Sequence, residues 1–116
     1  MTYDVEIVLR EHNDAVTEHL RHPGEPSAWT ERDVESVLKE ILLAIDRAKH
    51  PDAAERYVAL RGFSWIVEPT QGGVVIAMEI PSGAAVAGPF EIAQPRLDGL
   101  INRVLSAARE PKTVVH

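Results

Sequence analysis

Three histidines near the start of the chain are the side chains best suited to chemistry. His12, His19 and His22 lie among acidic residues such as Asp14 and Glu18. Imidazole and carboxylate groups together bind zinc, nickel or iron, and on a helix His12 and His19 would share one face. We therefore treat the three histidines as candidate metal ligands. Only His19 and His22 have the spacing of a zinc signature, so a solvated, histidine-rich acidic segment is the simpler interpretation.

The same histidines are candidates for a general base, because imidazole titrates near neutral pH. A base needs a nucleophile or an electrophile beside it, and the sequence shows none. Ser64 lies in a stretch that starts like the G-x-S-x-G nucleophile motif, but Ile66 replaces the second glycine. We predict no catalytic residue and no cofactor and favour a protein that is not an enzyme. A small metal-dependent or small-molecule-binding enzyme using residues 11–22 is the alternative.

Composition excludes several classes of protein. The 116 residues fit one domain, residues 1–116, with a core of ordinary size. The absence of cysteine excludes disulfides, thiolate metal sites and cysteine nucleophiles, and it is typical of a cytoplasmic protein. Neither a signal peptide nor an apolar run long enough to span a membrane is visible. We expect a soluble, cytoplasmic protein with no membrane partner.

Net charge argues against nucleic acid as a partner. The chain carries 12 basic and 18 acidic residues, a net charge of −6, and an acidic protein is repelled by a phosphate backbone. The basic residues near the C-terminus are too few, and too scattered along one helix, to form a strong basic patch for nucleic acid. They are Arg96, Arg103, Arg109 and Lys112. We predict no nucleic-acid partner.

The predicted element order over residues 30–109, α–β–β–β–α, is similar to that of the double-stranded-RNA-binding fold. In that family a basic cluster at the start of the last helix contacts phosphates. Here residues 94–98 hold a single base, Arg96. The resemblance is therefore one of element order only, and it does not change the prediction for nucleic acid.

The N-terminal segment predicts a strand followed by an irregular region. Val5, Ile7 and Leu9 alternate with polar residues, which is typical of a strand with one apolar face. Val8 is the one apolar residue on the polar side. Residues 11–28 lack clear periodicity, so we predict a mobile or functional loop there, with a short helix in its first half as the alternative.

Two helices have clear signals. The first starts after Thr30, which forms a capping-box pattern with Asp33, and Pro51 ends it. Its apolar residues recur at helical spacing. The second has Pro95 in its first turn and a similar apolar stripe. Residues 111–116 are predicted to be a frayed tail.

A β-hairpin is predicted between the helices. Residues 63–67 and 74–80 alternate in polarity around a turn at 68–73. In the register that pairs Val67 with Val74, one face of the hairpin is wholly apolar, and that consistency favours the register.

The predicted fold is an α+β two-layer sandwich with the order β-α-β-β-(β)-α. An antiparallel sheet, made of the N-terminal strand and the long bent hairpin, carries two helices on one face. We place a bulge or bend at Gly62, and residues 84–90 extend the hairpin or form a third strand. Whether residues 52–60 are helix or strand is left open by the sequence.

The second face of the predicted sheet is only partly polar. Ile66, Val75 and Ala77 lie on it together with charged residues. A small domain with such a face often covers it by pairing with a copy of itself. We therefore predict a protein-interaction or self-associating module, with these three residues at the interface of a homodimer.

Overall fold

The computed structural model describes residues 1–12 and 14–109 of the chain. Within those residues the order of elements is β1 (Thr2–Leu9), β2 (Ala15–Arg21), a 3₁₀ helix (Pro26–Ala28), α1 (Glu31–Lys49), β3 (Ser64–Thr70), β4 (Gly73–Ile80), β5 (Gly83–Phe90) and α2 (Gln94–Arg109). The predicted α+β architecture is confirmed. The predicted tail at residues 111–116 lies outside the described residues.

All five strands form one antiparallel sheet in the order β2-β1-β5-β4-β3. The last three strands form a meander, and β1 is inserted between β5 and β2. α1 packs against β1 and β5, while α2 packs against α1 and β3. Both helices therefore cover one face, which we call the inner sheet face, as the two-layer sandwich requires.

The core lies between the inner sheet face and the helices. Val5 and Ile7 of β1 and Ile41 of α1 have no exposed surface. The Trp29 ring, just before α1, packs against Phe90 of β5 with ring centroids 5.0 Å apart. Burial of such apolar surface is the main favourable term in folding. No helix in the described residues is long and apolar enough to cross a bilayer.

The segment at residues 11–28 differs most from the prediction. Its residues Ala15–Arg21 form edge strand β2, so the predicted short helix is wrong and the predicted loop is shorter. Val16, Glu18 and Leu20 lie opposite inward-facing residues of β1. The sequence hides this alternation because the middle inward residue is charged. The Glu18 carboxylate accepts a hydrogen bond from Arg47 of α1 at 2.6 Å, which makes a charge tolerable there.

Both ends of α1 are held by side chains. The capping box is confirmed: the Thr30 backbone N–H donates to the Asp33 carboxylate at 2.9 Å. At the other end, Arg56 donates to the backbone carbonyl of the residue after the helix at 2.8 Å. Residues 51–63, which include the stretch left open by the sequence, contain neither helix nor strand.

The β3–β4 hairpin keeps its predicted faces in a different register. Val67 pairs with Ile76, not with Val74. A slip of two residues leaves every side chain on the same face, because side chains alternate with period two. The cause is a tight turn, since β3 continues to Thr70 and β4 starts at Gly73. The turn requires glycine at position 73, where φ is 139°, because a Cβ atom there would clash with the backbone carbonyl oxygen of Phe90 on β5.

The predicted bend at Gly62 is present, with φ of 77°, but it precedes β3 and does not interrupt it. The irregular pairing lies instead between β4 and β5, at Val74 to Ile76. Residues 84–90, predicted either to extend the hairpin or to form a third strand, form the separate strand β5.

Candidate protein-interaction surface

The three candidate metal ligands do not come together. His12 follows β1 in a turn, His19 points outward from β2, and His22 lies just beyond β2 with its side chain buried. His12 and His19 would share a face only on a helix, and that condition is not met because Ala15–Arg21 form a strand. In the part of the chain that the structure describes, no group of three or more potential ligands is placed to hold a metal ion.

The buried side chain of His22 is part of a partly buried polar cluster that joins β1, α1 and the chain after β2. Its Nε2 lies 3.0 Å from an Asp33 oxygen, and its Nδ1 lies 3.8 Å from an oxygen of Glu40 on α1. The Tyr3 hydroxyl of β1 donates to the other Glu40 oxygen at 2.5 Å. With only 6% of its side chain exposed, His22 has little access to a substrate. The cluster fixes β1 and the chain after β2 against α1.

Electrostatic effects in this cluster follow from its hydrogen bonds and burial. The Thr30 backbone N–H, and then His22, hold the pKa of the Asp33 carboxyl below its usual value. Burial, together with the hydrogen bond to Glu40, raises the pKa of the Tyr3 hydroxyl well above its usual value. Tyr3 therefore remains a hydrogen-bond donor at every physiological pH.

The basic residues that were candidates for binding nucleic acid contact other groups of the helix layer, as far as the structure describes their side chains. Arg96 donates to the backbone carbonyl of Trp29 at 2.7 Å. Arg103 lies 3.4 Å from the Glu31 carboxylate. The side chain of Arg109 and all of Lys112 lie outside the described part of the chain.

The sheet face opposite the helices carries an apolar stripe. Ile66, Ala77 and Val86 are paired neighbours on β3, β4 and β5, and we call them the apolar stripe. Ile66 is 52% exposed and Val86 44% exposed. Val8 of β1, 45% exposed, lies on the same face opposite Ala84. We call this the outer sheet face, and both described helices lie on the other side of the sheet.

Four exposed carboxylates surround the stripe, and we call them the outer carboxylates. The four residues are Asp4, Glu6, Glu68 and Glu79. Glu6 is paired directly with Val86, and Glu79 lies opposite Ala84. Among the described residues, none of the four forms an ion pair with lysine or arginine; Asp4 pairs with His19 instead. The outer sheet face is therefore apolar at its centre and negative at its rim.

Small residues make this face concave. An acidic hollow of about 420 Å³ lies beside the stripe, lined among others by Asp4, Glu6 and Thr17. A second hollow of about 290 Å³ lies between Ile66 and Ala84. Val86 lines both hollows. The surface can therefore receive two neighbouring side chains of different chemistry.

The interface residues predicted from the sequence all lie on this face. Ile66 and Ala77 belong to the stripe, and Val75 lines the acidic hollow. Sequence reasoning missed Val86 and Glu6, because the pairing of β1 with β5 that brings them together is not visible locally. Val8 had a signal, since it is the one apolar residue on the polar side of β1.

A separate cavity lies at the end of the molecule that holds the β1–β2 turn. It measures about 340 Å³ and is lined by Glu11 and His12 from that turn and by Lys49 and Ser82 from neighbouring elements. Carboxylate, imidazole, ammonium and hydroxyl groups, together with the guanidinium of Arg10, are thus the polar groups available to a small molecule there. Of the three candidate histidines, only His12 lines it.

No family model, curated protein or solved structure matches the chain. Function therefore has to follow from the geometry of the outer sheet face and of the cavities.

Proposed function

We propose that this protein is a non-catalytic protein-interaction module that binds through its outer sheet face. The observation that supports the proposal is the apolar stripe, in which Ile66, Ala77 and Val86 run across three neighbouring strands with no described element above them. An exposed apolar patch rimmed by polar residues marks interaction sites in soluble proteins. Burial of such a patch gives the binding energy, and the rim gives specificity.

The polar groups of this face are suited to binding and not to catalysis. His19 and Asp4 form a pair there, but 78% of the His19 side chain and 59% of the Asp4 side chain are exposed. Water competes for such a pair, so its strength is small. A catalytic base needs an oriented and partly desolvated position beside a nucleophile.

A photo-crosslinking amino acid at Val86 tests the proposal in cells that naturally make the protein. Position 86 is at the centre of the outer sheet face and is exposed enough to accept a larger side chain. The matched control places the same amino acid at Asn102, which is exposed on α2. We expect a discrete cross-linked product from position 86 that is absent from position 102. No product, or the same products from both positions, would remove the proposal.

The cavity at the β1–β2 turn favours a second candidate function, small-molecule binding with or without chemistry. Glu11 and His12 line it, and both belong to the segment predicted for this alternative. Native mass spectrometry of untagged protein, compared with the denatured mass, tests it directly. A retained small molecule or metal that is lost in His12→Ala would support this candidate. An apo mass in both proteins would count against it.

The cytoplasmic location predicted from the sequence remains a prediction. Fractionation of the cells that make the protein, followed by immunoblotting, checks it. Recovery with the membrane or extracellular fraction would contradict it.

A further inference from the structure

We infer that the partner bound by the outer sheet face is a basic protein that presents a cationic side chain next to an apolar one, and not a second copy of this chain. The inference rests on the proposed function, because it assigns the occupant of the same surface. It is supported by how the charges are distributed between the two layers of the sandwich, by the shape of the face, and by the consequences of stacking the face on itself.

Charges in the two layers are balanced differently. Two carboxylates at the helix layer have arginine partners: Glu18 pairs with Arg47 at 2.6 Å and Asp46 with Arg56 at 3.0 Å. The outer carboxylates have no such partner among the described residues. Two arginines lie on this face, Arg21 at the end of the edge strand β2 and Arg10, which lines a hollow together with Glu79, so four outer carboxylates face two arginines. The field that reaches a partner above the outer sheet face is therefore negative.

Both hollows suit a particular kind of side chain. In the acidic hollow, Asp4 and Glu6 provide two carboxylates and Thr17 a hydroxyl, which together can accept hydrogen bonds from a guanidinium or an ammonium group. The second hollow is lined mostly by apolar residues, together with Ser64 and Glu79, and Ala77 and Ala84 leave room there for an apolar side chain. Because Val86 separates the hollows, a partner needs the two side chains close together, as they are in neighbouring positions of one segment.

A second copy fits this face poorly. Face-to-face stacking would bring the four outer carboxylates of each copy close to those of the other, and Arg10 and Arg21 balance only two of the four charges of each face. Like charges placed against each other at an interface disfavour that pairing. The homodimer predicted from the sequence did not take into account how the carboxylates are arranged around the apolar residues, and that arrangement favours a partner of opposite charge.

The test is a titration of ¹⁵N-labelled full-length protein with two short peptides, followed by NMR. The first peptide is acetyl-Ser-Arg-Leu-Arg-Ser-amide, and the second is its acidic counterpart with glutamate in place of arginine. We expect the basic peptide to shift amide signals of Glu6, Ala77 and Val86, with an affinity that falls severalfold between low and physiological salt. The acidic peptide should leave those signals unchanged.

Charge-reversing variants separate a specific site from general attraction. Glu6→Lys should weaken binding of the basic peptide severalfold, because it removes a carboxylate from the acidic hollow. Asp52→Lys changes the net charge by the same amount at an exposed turn and should have a small effect. The dispersion of the amide signals reports whether each variant is folded. Asp4→Lys, which changes the second carboxylate of the acidic hollow, replaces Glu6→Lys if the latter is not folded.

Three results would overturn the inference. They are equal binding of the acidic peptide, equal weakening by Asp52→Lys, and concentration-dependent shifts of the outer-face signals without peptide, which would indicate a second copy. The proposed function is tested by a different result, the cross-linked product from position 86. A product from position 86 with an acidic or neutral protein would keep the interaction module and remove the basic partner, whereas no product at position 86 would remove both.

Discussion

At the residue scale, Asp33 connects the local start of a helix with the tertiary structure. One carboxylate oxygen accepts hydrogen bonds from the backbone N–H and hydroxyl of Thr30, and the other lies 3.0 Å from His22 Nε2. The first contact was predictable from the spacing of two residues. The second requires the chain after β2 to return to the N-terminus of α1, which the sequence does not indicate.

We expect Asp33→Asn to lower the free energy of unfolding at pH 7 by about 1 kcal/mol, because it removes the charge from the cap. The folded-state pKa of Asp33 lies below its unfolded value. Its contribution is therefore full above the unfolded value of about 3.9 and is lost as the pH falls through the folded value. Urea unfolding from pH 7 to pH 3 should show the difference from wild type shrinking below about pH 4.

Asp52→Asn, at an exposed turn position, is the control for this series. It should match wild type at every pH. A difference between wild type and Asp33→Asn that stays constant down to the lowest pH would contradict the assigned role of Asp33.

At the element scale, alternation along a strand decides which side chains the helices cover. Trp65 and Val67 of β3 point toward the helix layer, and Ile66 between them points outward. The position of a strand in the sheet also affects burial: β3 is an edge strand, and its inward-facing Trp65 is only half-buried. Period-two patterns were enough to predict these faces, since the period depends on backbone geometry and not on the neighbouring strand.

Two isoleucine truncations measure this difference in burial. Ile41→Ala on α1 should cost about 2–5 kcal/mol, because its side chain is completely buried and leaves a cavity. Ile66→Ala on the outer sheet face should change stability by no more than about 0.5 kcal/mol. Thermal and urea unfolding followed by circular dichroism give both values. Similar losses in the two variants would mean that the outer sheet face is covered.

The tryptophan at position 65 gives an intermediate case. From the sequence, Trp65→Ala is expected to cost about 2–5 kcal/mol. Because the ring is half-buried at the sheet edge, we expect a value near the lower end of that range. A loss larger than that of Ile41→Ala in the same unfolding experiment would contradict this ordering.

At the scale of the whole molecule, the position of β1 makes the fold depend on both ends of the sequence. β1 lies between β2 and β5. The two strands near the N-terminus, β1 and β2, therefore complete a sheet whose other three strands come from the second half of the chain. Val5 and Ile7 fill the centre of the core from this strand. We therefore expect the rest of the sandwich to be unstable without its first strand.

A chain that begins at residue 23 should not fold, because it lacks β1 and β2 and exposes the edge of β5. Addition of a peptide comprising residues 1–22 should restore a cooperative unfolding transition, observed by circular dichroism, because the strands pair without a covalent connection. The same peptide carrying Val5→Asp should fail, since position 5 is fully buried. A shortened chain that unfolds cooperatively by itself would show that β1 is not needed.

By itself, the sequence determined the features that depend on local periodicity and capping: both helices, the hairpin faces, the two-layer class and the apolar character of Ile66, Val75 and Ala77. Tertiary structure alone decided the rest. β2 is a strand because β1 offers it a partner, the three histidines separate because that segment is extended, and Glu6 meets Val86 because β1 pairs with β5. Each of these depends on contacts between residues far apart in the chain, which local propensity and spacing do not specify.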